Sequence, residues 1–170
     1  MIPIRDVIPS RTPPVVTLSL IGATALAYLY QTSLPPAAES ALLTTFGLVP
    51  ADVAVRPAAL VSPLFLHANL AHLVGNLVFL WIFGDNVEDR FGHRRFLLFY
   101  LAAGAAAGLA QALALPGATT PVIGASGAIA AVMGAYLVLF PQSRIVMLIW
   151  LVFYVDFVEI PAVVFLVAWF

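Results

Sequence analysis

The chain contains no cysteine, which excludes disulfides, thiolate catalysis and Cys-ligated metal and leaves the redox compartment unwritten in its composition. Charge is nearly as scarce: charged residues make up 9% of the 170, against about a quarter in soluble domains. The formal net charge is −1. With no basic run and no aromatic-plus-basic stripe, a nucleic-acid partner is argued against. What is present instead is apolar, with hydrophobic residues at 63%. A water-soluble fold has no means of hiding that much apolar surface. The length suits one integral membrane domain spanning 1–170, read as all-α from the length of its apolar runs.

The apolar-length criterion gives about five spanning or near-spanning helices. A polar, proline-containing lead over 1–13 carries Arg5 and Arg11, and a first helix follows at roughly 14–32, before Pro35-Pro36. A cleaved signal peptide is the alternative for this stretch, since Ala23-Thr24-Ala25 has small-x-small spacing, but the apolar run continues past it to Tyr30. Residues 33–60 read as a long loop with Glu39, Asp52 and Arg56. Helices are expected at roughly 64–83, 95–115 and 126–140. The final stretch is interrupted by Asp156, Glu159 and Pro161, so 145–156 reads as an interfacial or connecting piece and 157 onward as the start of a fifth helix.

Arginine placement sets the expected orientation, because short cytoplasmic loops collect positive charge. Arg5, Arg11, Arg90, Arg94, Arg95 and Arg144 fall on one side of an alternating bundle and only Arg56 on the other. The N-terminus is therefore expected to be cytoplasmic, with 33–63 and 116–125 facing outside. Ser126 then sits at the outer end of its helix. From Ser126 to Phe140 a helix rises roughly 22 Å, short of the roughly 30 Å hydrocarbon core. If Pro141, Gln142 and Arg144 mark the inner interface, loop 116–125 must dip inward, and irregular backbone at that depth is tolerated only against protein or a water-filled cavity.

Polar side chains within such segments are costly and point to a buried site. One cluster is Gly124-Ala125-Ser126-Gly127, at a helix start whose unpaired N–H groups can hold an oxyanion. The other is His67, His72 and Asn76. His72 and Asn76, four apart, share a helix face, and both can donate to a negative oxygen. His67, five residues before His72, is expected to point elsewhere. Plainer readings exist for each: Ser126 bonding back to its own helix, and the His/Asn group acting as interhelical hydrogen-bond glue. Metal ligation is disfavoured, since the spacing is not His-Glu-x-x-His and no carboxylate falls among the three. Small residues Gly127, Ala131, Gly134 and Ala135, with Gly104 and Gly108 on the preceding helix, suit close helix packing.

At these residues the sequence resembles the rhomboid family of intramembrane serine proteases. The likeness runs from about Leu60 to the end through three motifs. They are His67-Ala-Asn-Leu-Ala-His72-Leu-Val-Gly-Asn76, the loop Phe83-Gly-Asp-Asn-Val-Glu-Asp-Arg-Phe-Gly92, and Gly124-Ala125-Ser126-Gly127 with Gly134 beyond. The resemblance implies a polytopic helical bundle of about six spans, of which about five are present. It also implies Ser126 as nucleophile and an oxyanion hole from the Ser126 N–H, His72 and Asn76, with His67 supporting. Gly124 and Gly127 would shape the site backbone, and Glu88, Arg90 and Gly92 the turn between helices. No cofactor is implied, and the partners are transmembrane protein substrates within the bilayer.

The sequence departs from the family at three places. The loop after the first helix has Arg56-Pro57 without the tryptophan of a Trp-Arg pair. Ala130 stands where many members carry a tyrosine that stacks on the catalytic histidine. The family's general base is a histidine on the sixth helix, whereas this sequence ends in the fifth. His93 falls on the opposite side. The expectation is a Ser-His dyad endopeptidase whose base lies beyond Phe170. The alternatives are an inactive relative that binds transmembrane helices and, without an inverted repeat to support it, a small solute transporter.

Overall fold

Proline, glycine and one capping side chain set where the apolar runs begin and end as helices. The structure, a computed structural model, describes residues 2–151 and 153–169. Helix α1 (Val15–Ser33) starts directly after Pro13-Pro14, and α2 (Pro36–Phe46) opens on a proline, whose missing N–H costs nothing in a first turn. Helix α3 (Leu70–Phe91) is capped by Asn69, whose Oδ1 accepts the His72 N–H at 2.9 Å. It ends at Gly92, whose φ of +77° allows α4 (His93–Ala114) to start at once in a new direction. Helix α5 (Ser126–Leu139) stops ahead of Pro141, and α6 (Ala162–Trp169) follows Pro161. Among the described residues three helices, α1, α3 and α4, are long and apolar enough to cross a membrane, and α5 is a shorter apolar helix of 14 residues.

Three expectations are corrected. The helix expected from about 64 begins at Leu70 and runs to Phe91, because Ser62–Phe65 is a 3-10 turn and Asn69 supplies the cap. The expected loop over 33–60 instead holds α2 and 3-10 turns at Pro50–Asp52 and Pro57–Leu60. Arg56 there donates to the Thr44 and Thr45 carbonyls that end α2. The expected connecting piece and the first residues of the fifth helix form a hairpin, β2 (Arg144–Leu151) and β3 (Tyr154–Pro161). Strand β1 (Ile2–Asp6) adds to it in the order β1-β2-β3. These strands are rich in Ile, Val, Phe, Tyr and Trp, whose branched and aromatic side chains favour a pleated surface over a helix.

The core lies between α3 and α5. Phe83, Val87, Phe96, Tyr100, Val132, Met133 and Tyr136 are essentially inaccessible, and the Phe83 and Tyr136 rings meet edge to face at 4.9 Å. Ile145 and Met147 on one face of β2 join this core. At this end the buried Glu88 of α3 accepts the backbone N–H groups of Val16 and Thr17 at 2.8 and 2.7 Å, together with the Thr17 hydroxyl. A carboxylate from a neighbouring helix therefore caps α1, which has no capping side chain of its own. Asp6 accepts from the Tyr136 hydroxyl at 2.6 Å and from Asn86 at 3.0 Å, tying the lead to α3 and α5.

The small-residue faces are used differently from the helix-against-helix packing expected. A Cβ on Gly127 would lie 2.4 Å from that of Ala107, so α4 and α5 do meet there. Gly104 and Gly108 instead receive Leu64 and Leu48 from the connecting segment, and nothing lies within 4 Å of where a Gly134 Cβ would be.

Candidate active site

Ser126 is the first residue of α5, at the end of the bundle opposite the Glu88 and Asp6 contacts. Ala125 gives no side-chain cap, and the first helical bond runs from Ile129 N–H to the Ala125 carbonyl. The N–H groups of Ser126, Gly127 and Ala128 are therefore left without a helical acceptor. The preceding loop is held by backbone pairing with the segment after α2. Leu48 and Val122 exchange both hydrogen bonds, Ala51 N–H reaches the Ala118 carbonyl, and Gly124 N–H reaches the Pro63 carbonyl at 2.9 Å. The irregular backbone of 116–125 thus finds its partners in protein.

Gly124 joins the two polar clusters. Its φ is +119°, and a Cβ there would lie 2.6 Å from His72 Cε1, 2.8 Å from His72 Nε2 and 3.8 Å from Asn76 Nδ2. Only a glycine permits both that backbone and that approach. The loop consequently lays its chain against His72 and Asn76 two residues before Ser126. Ser126 is itself exposed. It shares a cavity of about 140 Å³ with Gly104, Gly108, Gln111, Leu48 and Gly124, room for several waters.

His67 does not point elsewhere, as its spacing from His72 suggested. It precedes α3, so helical geometry does not apply to it, and the chain folds it back beneath the site. It is fully buried, its ring lies 4.9 Å from that of His72, and its Nε2 bonds Asn76 Nδ2 at 2.9 Å. With the amide donating, Nε2 acts as acceptor and the ring is neutral. Burial, with His72 alongside and the Phe65 backbone opposing, pushes its pKa down to about 4.

Gln31 of α1 holds the His67 backbone from both sides. Its Nε2 donates to the His67 carbonyl at 2.8 Å and to Glu39 at 3.0 Å, and its Oε1 accepts the His67 N–H at 3.3 Å. Sequence reasoning passed over Gln31. A lone amide in an apolar helix was the available signal. The chain order of support is thus α1 to His67, His67 to Asn76, and Asn76 beside His72 and Gly124. The His72 ring makes no hydrogen bond among the described residues, and His93 is bonded to Glu88 at the far end. No group of acids, histidines and cysteines suited to a metal ion occurs among the described residues.

Known proteins match this sequence over part of its length. The family profile described as "Rhomboid domain" matches residues 55–170. The rhomboid protease GluP of Bacillus subtilis (strain 168) is 42% identical over 85 residues, covering 50% of this chain and 16% of that protein. RHOMBOID-like protein 6, mitochondrial, of Arabidopsis thaliana is 40% identical over 78 residues, 46% of this chain and 25% of that one. The human presenilin-associated rhomboid-like protein, mitochondrial, is 29% identical over 112 residues, covering 65% and 29%. The chain spans less than a third of the length of each of these relatives.

Proposed function

The chain belongs to the rhomboid family of integral membrane proteins, and on that premise we propose that it is the serine-bearing part of an intramembrane endopeptidase. Ser126 Oγ attacks a peptide carbonyl of a transmembrane substrate while its proton passes to a histidine base. The carbonyl oxygen becomes an oxyanion held by the Ser126 N–H, His72 and Asn76. Collapse breaks the C–N bond, the base returns the proton to the leaving amine, and water then hydrolyses the acyl-enzyme. No cofactor enters.

The observation that carries this reading is the convergence at Gly124: a serine on a helix start with unpaired N–H groups, two residues from a backbone that lies on His72 and Asn76. The base is assigned by resemblance to a histidine on a further membrane span, distinct from α1 to α6 and beyond Phe170. The three histidines in hand fit that role poorly. His67 is committed to Asn76, His93 bonds Glu88 at the other end, and His72, against the Gly124 backbone, is assigned to the oxyanion. The arginine distribution supports a cytoplasmic N-terminus and a site opening toward the outer face.

A second reading, an inactive relative that binds transmembrane helices, is favoured by Ala130, which stands where many members of the family carry a tyrosine that stacks on the catalytic histidine. Labelling by a fluorophosphonate probe in a protein extended through the next helix separates the two. Labelling abolished by Ser126→Ala supports the protease, and no labelling of the extended protein supports the binder.

A further inference from the structure

At the end of the bundle away from Ser126, acids and arginines do not pair with one another. Asp6 accepts from Tyr136 and Asn86, Asp85 from Ser10 and Asn86, and Glu88 from Val16, Thr17 and His93. Asp89 takes both the N–H and the hydroxyl of Thr12 on one oxygen. Four carboxylates thus turn their acceptors to hydroxyls, amides and one histidine. Arg5, Arg11, Arg90, Arg94 and Arg95 are all exposed. None lies within ion-pair distance of a carboxylate among the described residues, and Arg144 has only Glu159 at 3.7 Å. Arg11 bonds Asp89 through its backbone, while its guanidinium acts on that carboxylate only at longer range.

Two of these arginines line one space. Arg11 and Arg90 line an open cleft of about 540 Å³ between the lead and the last turn of α3, closed on one side by Phe140. The Arg90 guanidinium lies 5.8 Å over the Phe140 ring, which holds its plane and strips water from one face. Asp89 is the one acid in the lining. The hydroxyls of Ser10 and Thr12 and the amide of Asn86 point at carboxylates, so the unspent donors of the cleft are its arginines. Its depth is fixed by the ends of the spans. Phe140 closes α5, and Gly92, two residues past Arg90, separates the α3 and α4 spans.

We infer that this cleft binds the phosphodiester headgroup of an anionic phospholipid, with Arg11 and Arg90 as its ligands. Guanidinium forks match phosphate oxygens two at a time, and basic pockets between helices at headgroup depth bind acidic lipids. Ile8, Pro9 and Phe140, also in the lining, give the first acyl carbons an apolar wall beside the spans. The site is independent of Ser126, so it stands or falls apart from the protease reading.

The test follows thermal unfolding of the purified protein in a neutral detergent with added phosphatidylglycerol, phosphatidylcholine or inorganic phosphate. Phosphatidylglycerol in large excess raises the midpoint by several degrees, the scale of a ligand that binds only the folded state. Phosphatidylcholine and phosphate do not. The rise disappears in the Arg11→Gln/Arg90→Gln protein and persists in Arg94→Gln/Arg95→Gln. An equal rise with phosphatidylcholine, or with phosphate at the same concentration, overturns the assignment, as does a full rise in the Arg11/Arg90 variant. Should that variant not fold, native mass spectrometry of the unaltered protein decides. Retention of one phosphatidylglycerol under conditions that strip phosphatidylcholine supports the site, and equal stripping of both overturns it.

Discussion

Replacing Gly124 by alanine perturbs the site at the one point where both polar clusters meet, and its cost follows from two numbers. A non-glycine residue at φ +119° stores about 1–3 kcal/mol of backbone strain. The added Cβ would sit 2.6 Å from His72 Cε1, and forcing a close-packed side chain aside costs roughly another 1–3 kcal/mol. Gly124→Ala should therefore destabilise by about 2–5 kcal/mol in all. It should also displace His72, so loss of serine labelling should exceed what the fall in folded fraction explains. Adding His72→Ala should return the overlap part of the stability and none of the strain part. Gly134→Ala is the control: with nothing within 4 Å of its Cβ, it should be neutral or stabilising by up to about 1 kcal/mol through helix propensity. Chemical denaturation in detergent measures each difference. If Gly124→Ala proves as harmless as Gly134→Ala, the loop does not lie against His72 and the site geometry is wrong.

Glu88→Ala removes the carboxylate that caps α1 and orphans the buried N–H of Thr17 and the half-buried N–H of Val16, so a loss of about 3–5 kcal/mol is expected, with earlier hydrogen exchange at the start of α1 than elsewhere. Asp6 has its pKa raised from 3.8 to about 6, chiefly by burial, against the lowering bond from Tyr136 and with Asp85 adding to the rise. A raised folded-state value gives stability that is full below pH ~4 and lost as pH rises through ~6. Wild type should accordingly lose on the order of 2 kcal/mol relative to Asp6→Asn between those limits, and a pH-independent difference would remove Asp6 from its buried position. Cysteines placed at Ser33 and Gly117 should react with an impermeant thiol reagent outside intact cells while one at His93 stays protected, and the reverse pattern would invert the orientation.

Where side-chain pattern and breaker residues agreed, the fold was legible. Pro13-Pro14 and Pro35-Pro36 bound α1, and Pro141 bounds α5, so the expected 14–32 and 126–140 lie within a residue of Val15–Ser33 and Ser126–Leu139. The hairpin was not legible, because residues such as Ile149, Trp150 and Phe157 satisfy a hydropathy window as well as a strand period. Strand β1 has no reason to form until β2 offers it an edge. On the site side, Ser126, His72 and Asn76 were singled out by the expense of polar groups in apolar segments. His67 was misplaced because the five-residue spacing was read on a helix that begins only at Leu70. Gly124 was noted as a small neighbour, but its contact with His72 is long-range and no local pattern carries it.

The central claim is that Ser126 is a nucleophile served by oxyanion donors on α3. The most direct measurement is cleavage of a transmembrane substrate in reconstituted vesicles by the protein extended through the next helix, with Ser126→Ala and Asn76→Ala compared at matched folded fraction. The account predicts no cleavage with Ser126→Ala, and with Asn76→Ala a kcat lowered by roughly ten- to a thousandfold at little-changed KM. Cleavage that survives Ser126→Ala, or an unaltered kcat in Asn76→Ala, contradicts it.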